Sequence, residues 1–168
     1  MSDFDDFTVF NADVLKSLYV NDAAIAALRA GVEEGVHTGA DALDGRLTLI
    51  GLMADEANLA VKAVRHLGET PERIRFAARG LTQAPPFSEP PHLTPDIPLS
   101  IAEEVRQMFR LAGDEARRLG PWKAVGPEHL LLAMTRDDEQ SVNPLLKAMG
   151  LTLERTRRAV RSVLGFPT

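Results

Sequence analysis

Glu128 and His129 head an apolar run, Leu130-Leu131-Leu132, directly after Gly126-Pro127. A carboxylate at the start of a helix has two uses. It can pair with a guanidinium group through charge-assisted hydrogen bonds, or it can simply sit well near the positive end of the helix dipole. His129 has the chemistry of a base or a metal ligand. The other histidines, His37, His66 and His92, are scattered without metal-ligand spacing, so a local structural hydrogen bond is the expected role for His129. The carboxylate clusters Glu33-Glu34, Glu103-Glu104 and Asp137-Asp138-Glu139 are adjacent pairs and runs, and neighbours on a helix point in different directions. No Gly-x-Ser-x-Gly, His-Glu-x-x-His or Gly-x-Gly-x-x-Gly pattern occurs. The chain contains no cysteine, which removes disulfides, thiolate metal sites and cysteine nucleophiles. No catalytic residue, metal ligand or cofactor site is assigned, and the chain is not expected to be an enzyme.

Aromatic residues suggest contact surfaces instead. Trp122 is the single tryptophan. It lies in a loop between Pro121 and Lys123, where it would serve as an interface anchor or as a cap over helix ends. Phe4, Phe7 and Phe10 recur every three residues among acidic side chains. They suit a segment that docks on a partner, or an arm folded over its own domain.

The elements that must carry these residues read as helical. Apolar residues Ile25, Leu28, Val32 and Val36 follow helical spacing from Asn21 to Thr38, with Gly39 as a stop. Further helices are expected at 46–54, at 58–67 ending on Gly68, and from Thr70 as N-cap with Pro71 in the first turn to Gly80. Residues 81–99 hold Pro85, Pro86, Pro90, Pro91, Pro95 and Pro98. Proline removes backbone donors and disfavours helix before it, so this is a linker. Ser100 with Glu103 forms a capping-box pattern ahead of a long helix to Gly120. Helices from Pro127, over 141–149 and over 152–164 complete the chain. Strands have little support.

The two halves share one plan. A shift of 81 places Gly39 on Gly120, Gly45 on Gly126, Leu49 on Leu130 and Met53 on Met134. One more residue places Gly68 on Gly150, Thr70 on Thr152 and Arg73 on Arg155. Duplication accounts for coincident glycines better than chance does. The expected organisation is an N-terminal extension 1–20, a first repeat 21–80, the linker 81–99 and a second repeat 100–165, in an all-α fold.

Length and composition fit one soluble domain: 168 residues, 45% hydrophobic and 26% charged. The net charge of −5 disfavours non-specific nucleic-acid binding. Arg155, Arg157, Arg158 and Arg161 cluster near the C-terminus, where a solvated helix face is the expected reading. The acidic N-terminus is unlike a signal peptide, and the most apolar run, 47–54, is too short to span a bilayer. No membrane partner is expected, and a cytoplasmic protein is.

Asp114-Glu115-Ala116-Arg117-Arg118-Leu119-Gly120, followed by Val125-Gly126-Pro127-Glu128-His129-Leu130-Leu131-Leu132-Ala133-Met134, closely resembles the Clp N-terminal repeat. That repeat reads Glu-Ala-Arg-x-Leu-Gly, a short loop, then Gly-Thr-Glu-His-Leu-Leu-Leu-Ala-Leu. The resemblance is strong over 99–165. Over 21–80 it survives in the layout and in Leu49-Ile50-Gly51-Leu52 and His66-Leu67-Gly68, but Arg46-Leu47-Thr48 follows Gly45 where the family has Thr-Glu-His. The resemblance implies two four-helix repeats about a pseudo-twofold axis and a protein-binding module of the Clp protease system. Its partners would be adaptors, substrates, Clp unfoldase or protease components, or peptide-like ligands. No phosphate loop for an ATPase occurs, so the receptor is expected without the motor. A sequestering protein that competes with the unfoldase N-domain is the alternative, and a small helical hydrolase is a remote one. The resemblance further implies a phosphoarginine site at Glu128, with Pro127 replacing the family threonine, and Trp122 and Lys123 are candidate ligand contacts nearby.

Overall fold

The computed structural model describes residues 4–81, 99–120 and 124–167. A short helix, α1 (Ala12–Ser17), lies in the expected N-terminal extension and is capped by Asn11. The first repeat comprises α2 (Asp22–Thr38), α3 (Gly45–Leu52), α4 (Leu59–His66) and α5 (Pro71–Gly80). The second comprises α6 (Glu103–Leu119), α7 (Pro127–Arg136), α8 (Asn143–Ala148) and α9 (Leu153–Val163). Helix order is the same in both, and the all-α double repeat is as the sequence pattern implied.

Local chemistry sets the boundaries. Asn21, Asp44, Asn58 and Thr70 each accept a backbone N–H at a helix start. Gly39 ends α2 with φ 72°, a left-handed conformation that glycine reaches without a Cβ penalty. Ser100 and Glu103 do not form the expected capping box. Helix α6 starts at Glu103 with Ala102 as its uncapped N-cap, because Ser100 is drawn into a strand. Its Oγ donates to the Asp41 carbonyl (3.1 Å), and the Glu103 carboxylate is held by Arg106 and Arg110. The expectation of little strand also needs correcting. Two-residue strands β1 (Ala42–Leu43) and β2 (Ser100–Ile101) pair in parallel, and Val9 bridges Ser100 on the other side. The proline-rich residues 82–98 lie outside the described residues.

The duplication reappears in how the halves join. Leu43 pairs with Ile101, and Val20 bridges Val125. Val20 and Ile101 are related by the shift of 81, and Leu43 and Val125 by 82, so each repeat lends the strand before its long helix to the loop after the other repeat's long helix. This reciprocal exchange is what a pseudo-twofold arrangement requires. One cluster of buried side chains spans both repeats, from Leu28 and Leu49 to Phe109 and Leu130.

The helix pair α2–α3 is unusually close. A Cβ on Gly51 would lie 2.0 Å from the Ala27 carbonyl oxygen, and one on Gly31 would lie 2.6 Å from that of Leu47. The positions equivalent by the shift of 81, Ala112 and Leu132, carry side chains. The N-terminal arm folds over α6. Phe4 stacks on Phe109 with ring centroids 5.1 Å apart, Phe7 meets that ring edge-on at 5.8 Å, and Asp5 pairs with Arg110.

Candidate binding site at the head of α7

Helix α7 is buried along nearly its whole length, from Pro127 to Thr135. Its head sits where the two repeats cross. The Asn21 amide donates to the Val125 carbonyl (2.9 Å), and the Val125 amide donates to that of Tyr19 (2.8 Å). Tyr19 holds φ 59°, an uncommon conformation for a bulky residue, and this turn brings Asn21, the N-cap of α2, to Gly126. Pro127 occupies the first turn, where its missing N–H costs nothing. His129 Nδ1 accepts from the Gly126 amide (2.9 Å), half of a capping box. That bond makes Nδ1 the acceptor and gives His129 a structural role.

Glu128 is 4% exposed. Its carboxylate folds back over Gly126, where a Cβ would lie 2.5 Å from Oε2 and 2.9 Å from Asn21 Nδ2. The absence of a Cβ at Gly126 thus leaves room for the Glu128 carboxylate and the Asn21 amide. Of the four candidate ligand contacts, Pro127 and Glu128 come together at this corner, and Trp122 and Lys123 lie outside the described residues. The sequence left two destinations for Phe4, Phe7 and Phe10. All three pack on the chain's own core, with Phe7 2% exposed.

The mirror corner, at the head of α3, is built differently. Asp44 caps Leu47 N (2.8 Å), Arg46 lies 3.8 Å from Asp44, and Leu47 is fully buried. Glu104 reaches across from α6 and accepts from Gly45 N (2.7 Å), Ser141 N (2.9 Å) and Ser141 Oγ (3.0 Å). One carboxylate thus terminates the open amides at two helix approaches. Sequence reasoning missed Glu104 and Asn21. Asn21 had a cap signal, but its partner Gly126 lies in the other repeat. Glu104 looked like half of an ordinary acidic pair.

Glu115, like Glu128, is a buried carboxylate, 2% exposed. Its Oε1 accepts from Arg157 (2.6 Å) and Arg136 (3.2 Å), and its Oε2 accepts from Arg157 Nε (3.1 Å). The hydrogen bond that Arg157 donates to Glu115 raises the Arg157 pKa, and the cluster ties α6 to α7 and α9. Among the described residues, no three His, Asp or Glu side chains gather as a metal site, and no helix is long and apolar enough to cross a membrane.

Comparison with known proteins agrees with this architecture. The model of the Clp repeat (R) N-terminal domain matches residues 100–167. The negative regulator of genetic competence ClpC/MecB of Bacillus subtilis is 30% identical over 134 residues, 79% of this chain and 15% of that protein. The chaperone ClpB of Oceanobacillus iheyensis is 30% identical over 136 residues, 79% of this chain and 16% of its own. The chain thus spans only 15% and 16% of the length of these curated relatives. In structure, the N-domain of ClpV from Vibrio cholerae matches 94% of this chain and 91% of its own, with TM-score 0.69 and 13% identity. A complex of the ClpV N-domain with a VipB peptide matches 94% and 93%, with TM-score 0.68 and 12% identity. The N-terminal domain of ClpD from Arabidopsis thaliana matches 87% and 97%, with TM-score 0.63 and 19% identity. The second half therefore belongs to the Clp repeat N-terminal family, and the chain as a whole has the double-repeat fold of Clp N-domains.

Proposed function

We propose that this chain is a non-catalytic protein- and peptide-binding module of the Clp protease system, acting in the cytoplasm on adaptors, substrates or the unfoldase itself. The observation that carries this reading is the likeness, over 94% of the chain, to a ClpV N-domain in complex with a VipB peptide. The Clp repeat match over 100–167 supports it. So does the use of two carboxylates: the half-buried Glu104 and the buried Glu115 are engaged in joining helices. Fold alone does not fix function, so the test is direct. Tagged protein is used to pull partners from its own lysate. Enrichment of Clp subunits or adaptors is expected. Capture of peptide-like ligands with no Clp component would move the reading to a sequestering protein, and substrate turnover by the purified chain would overturn it.

A further inference from the structure

The arginines of α9 do not all face solvent. A cavity of about 330 Å³ opens between α6, α7 and α9, lined by Glu115, Arg118, Leu119, Leu132, Arg157 and Arg161. Charge within it is unbalanced. Three guanidinium groups, those of Arg118, Arg157 and Arg161, line it against one carboxylate, Glu115, and ion pairs connect Arg136, Asp114 and Arg117 to that carboxylate. Both carboxylates are already committed. Arg157 and Arg136 hold Glu115, and Arg117 and Arg136 approach Asp114 at 2.5 and 3.6 Å. Glu154, one turn away on α9, is taken by Arg158 (3.3 Å). Arg118 has no ion pair among the described residues. Among the described residues, Arg161 reaches the Pro167 carbonyl (3.3 Å) and the face of Phe166 and no carboxylate. This local excess of positive charge sits in a chain of net charge −5.

We infer that this cavity binds a carboxylate carried next to an aliphatic side chain. Guanidinium groups present a donor fork that matches a carboxylate. Leu119 and the buried Leu132 give the neighbouring aliphatic group an apolar wall. A volume of this size holds one or two residues, and small pockets that combine apolar lining with a few convergent polar groups are the usual form of a binding site. The carboxylate is either a peptide C-terminus or an Asp or Glu side chain within a peptide. Glu115 acts as a positioning residue, since its bidentate pair with Arg157 fixes the floor of the cavity. The inference deepens the binding-module reading and rests on it.

The test titrates purified full chain with three synthetic peptides by calorimetry. The first is N-acetylated and ends Ala-Leu with a free carboxylate. The second is its C-terminal amide, and the third is the amide with Glu before the final Leu. Binding of the first peptide but not the second is expected. Binding of the third as well as the first identifies a side-chain carboxylate as sufficient, and failure of the third identifies the C-terminus. The double variant Arg118→Ala, Arg161→Ala removes two exposed side chains and leaves the Glu115 cluster intact, so it should fold normally by circular dichroism. Its affinity for the bound peptide should fall at least about tenfold, as expected for loss of hydrogen bonds to a charged group, and added salt should weaken the wild-type complex. Equal binding of acid and amide peptides, wild-type affinity in the double variant, or no binding of either carboxylate peptide at millimolar concentration overturns the inference. If lysate partners are still captured in that case, the module reading stands and only this site falls.

Discussion

Glu104 illustrates how much one side chain can carry once the chain is folded. It accepts three hydrogen bonds from two other segments, Gly45 and Ser141, and a Cβ on Gly45 would lie 3.1 Å from its carboxylate. Glu104→Ala leaves the amides of Gly45 and Ser141 without their acceptor. Bonds to charged groups contribute about 1.5–3 kcal/mol each, so the variant should lose roughly that much stability in urea unfolding, without change in far-ultraviolet circular dichroism at low denaturant. A loss under about 0.5 kcal/mol would mean that water replaces the carboxylate. None of this was legible in the sequence, where Glu104 stands beside Glu103 and its partners lie 59 and 37 positions away. Glu128 was legible, because its motif is local. Its setting bears on phosphoarginine. The second-repeat corner has a buried carboxylate but a proline where a backbone donor is needed, and the first-repeat corner has Arg46 and Leu47, with Glu104 reaching in. The expected outcome is at most one weak phosphoarginine site, abolished by Glu128→Ala. Titration of both proteins checks it, and two tight sites, or one indifferent to the substitution, would contradict it.

Elements were readable where the chemistry that bounds them is local. Thr70-Pro71 opens α5 and Gly39 closes α2 as their residue types require. The failures were long-range. Strands of two residues have no period to detect, and Ser100 could not be seen to prefer Asp41 over its own helix. The α2–α3 crossing was equally hidden, since a glycine inside an apolar helix, such as Gly31 or Gly51, does not say which backbone it approaches. With its Cβ 2.0 Å from backbone, Gly51→Ala must push two helices apart. Overpacking costs about 1–3 kcal/mol, and the upper end is expected because no flexible side chain can yield. A melting temperature equal to wild type would show that the helices are not so close in solution. A second link between elements depends on pH. Glu34 on α2 accepts two bonds from Arg79 on α5 (2.7 and 3.1 Å), and the Arg79 hydrogen bond holds its carboxyl below the usual glutamate value. A lowered folded value stabilises the protein at pH above the ordinary carboxylate range, and that contribution is lost as pH falls through the lowered value. Both side chains are partly exposed, so Glu34→Gln should cost about 0.2–1 kcal/mol near neutral pH. The difference from wild type should vanish in acid, which parallel denaturant titrations would reveal.

At the scale of the molecule, coincident glycines pointed to a duplication, and the structure explains why the repeats stay together. Neither repeat closes its own edge. Leu43 needs Ile101, Val20 needs Val125, Glu104 of the second repeat caps Gly45 of the first, and α4 and α9 pack across the junction. The symmetry is incomplete: Asn21 approaches Gly126 at one corner, while a charged Glu104 approaches Gly45 at the other. The two corners have diverged: the head of α3 is served by Asp44 and by Glu104 from the other repeat, whereas the head of α7 carries Glu128 from its own first turn. The shared strands and common core predict a single cooperative unfolding transition. Hydrogen exchange should assign the same opening free energy to buried amides of α4 in the first repeat and α7 in the second, because neither can open without breaking the other's contacts. Glu104→Ala should then lower protection in both helices by equal amounts. Should exchange instead fall only in the first repeat, the halves would be separately stable units, and the reciprocal strands would be incidental to how the fold is held together.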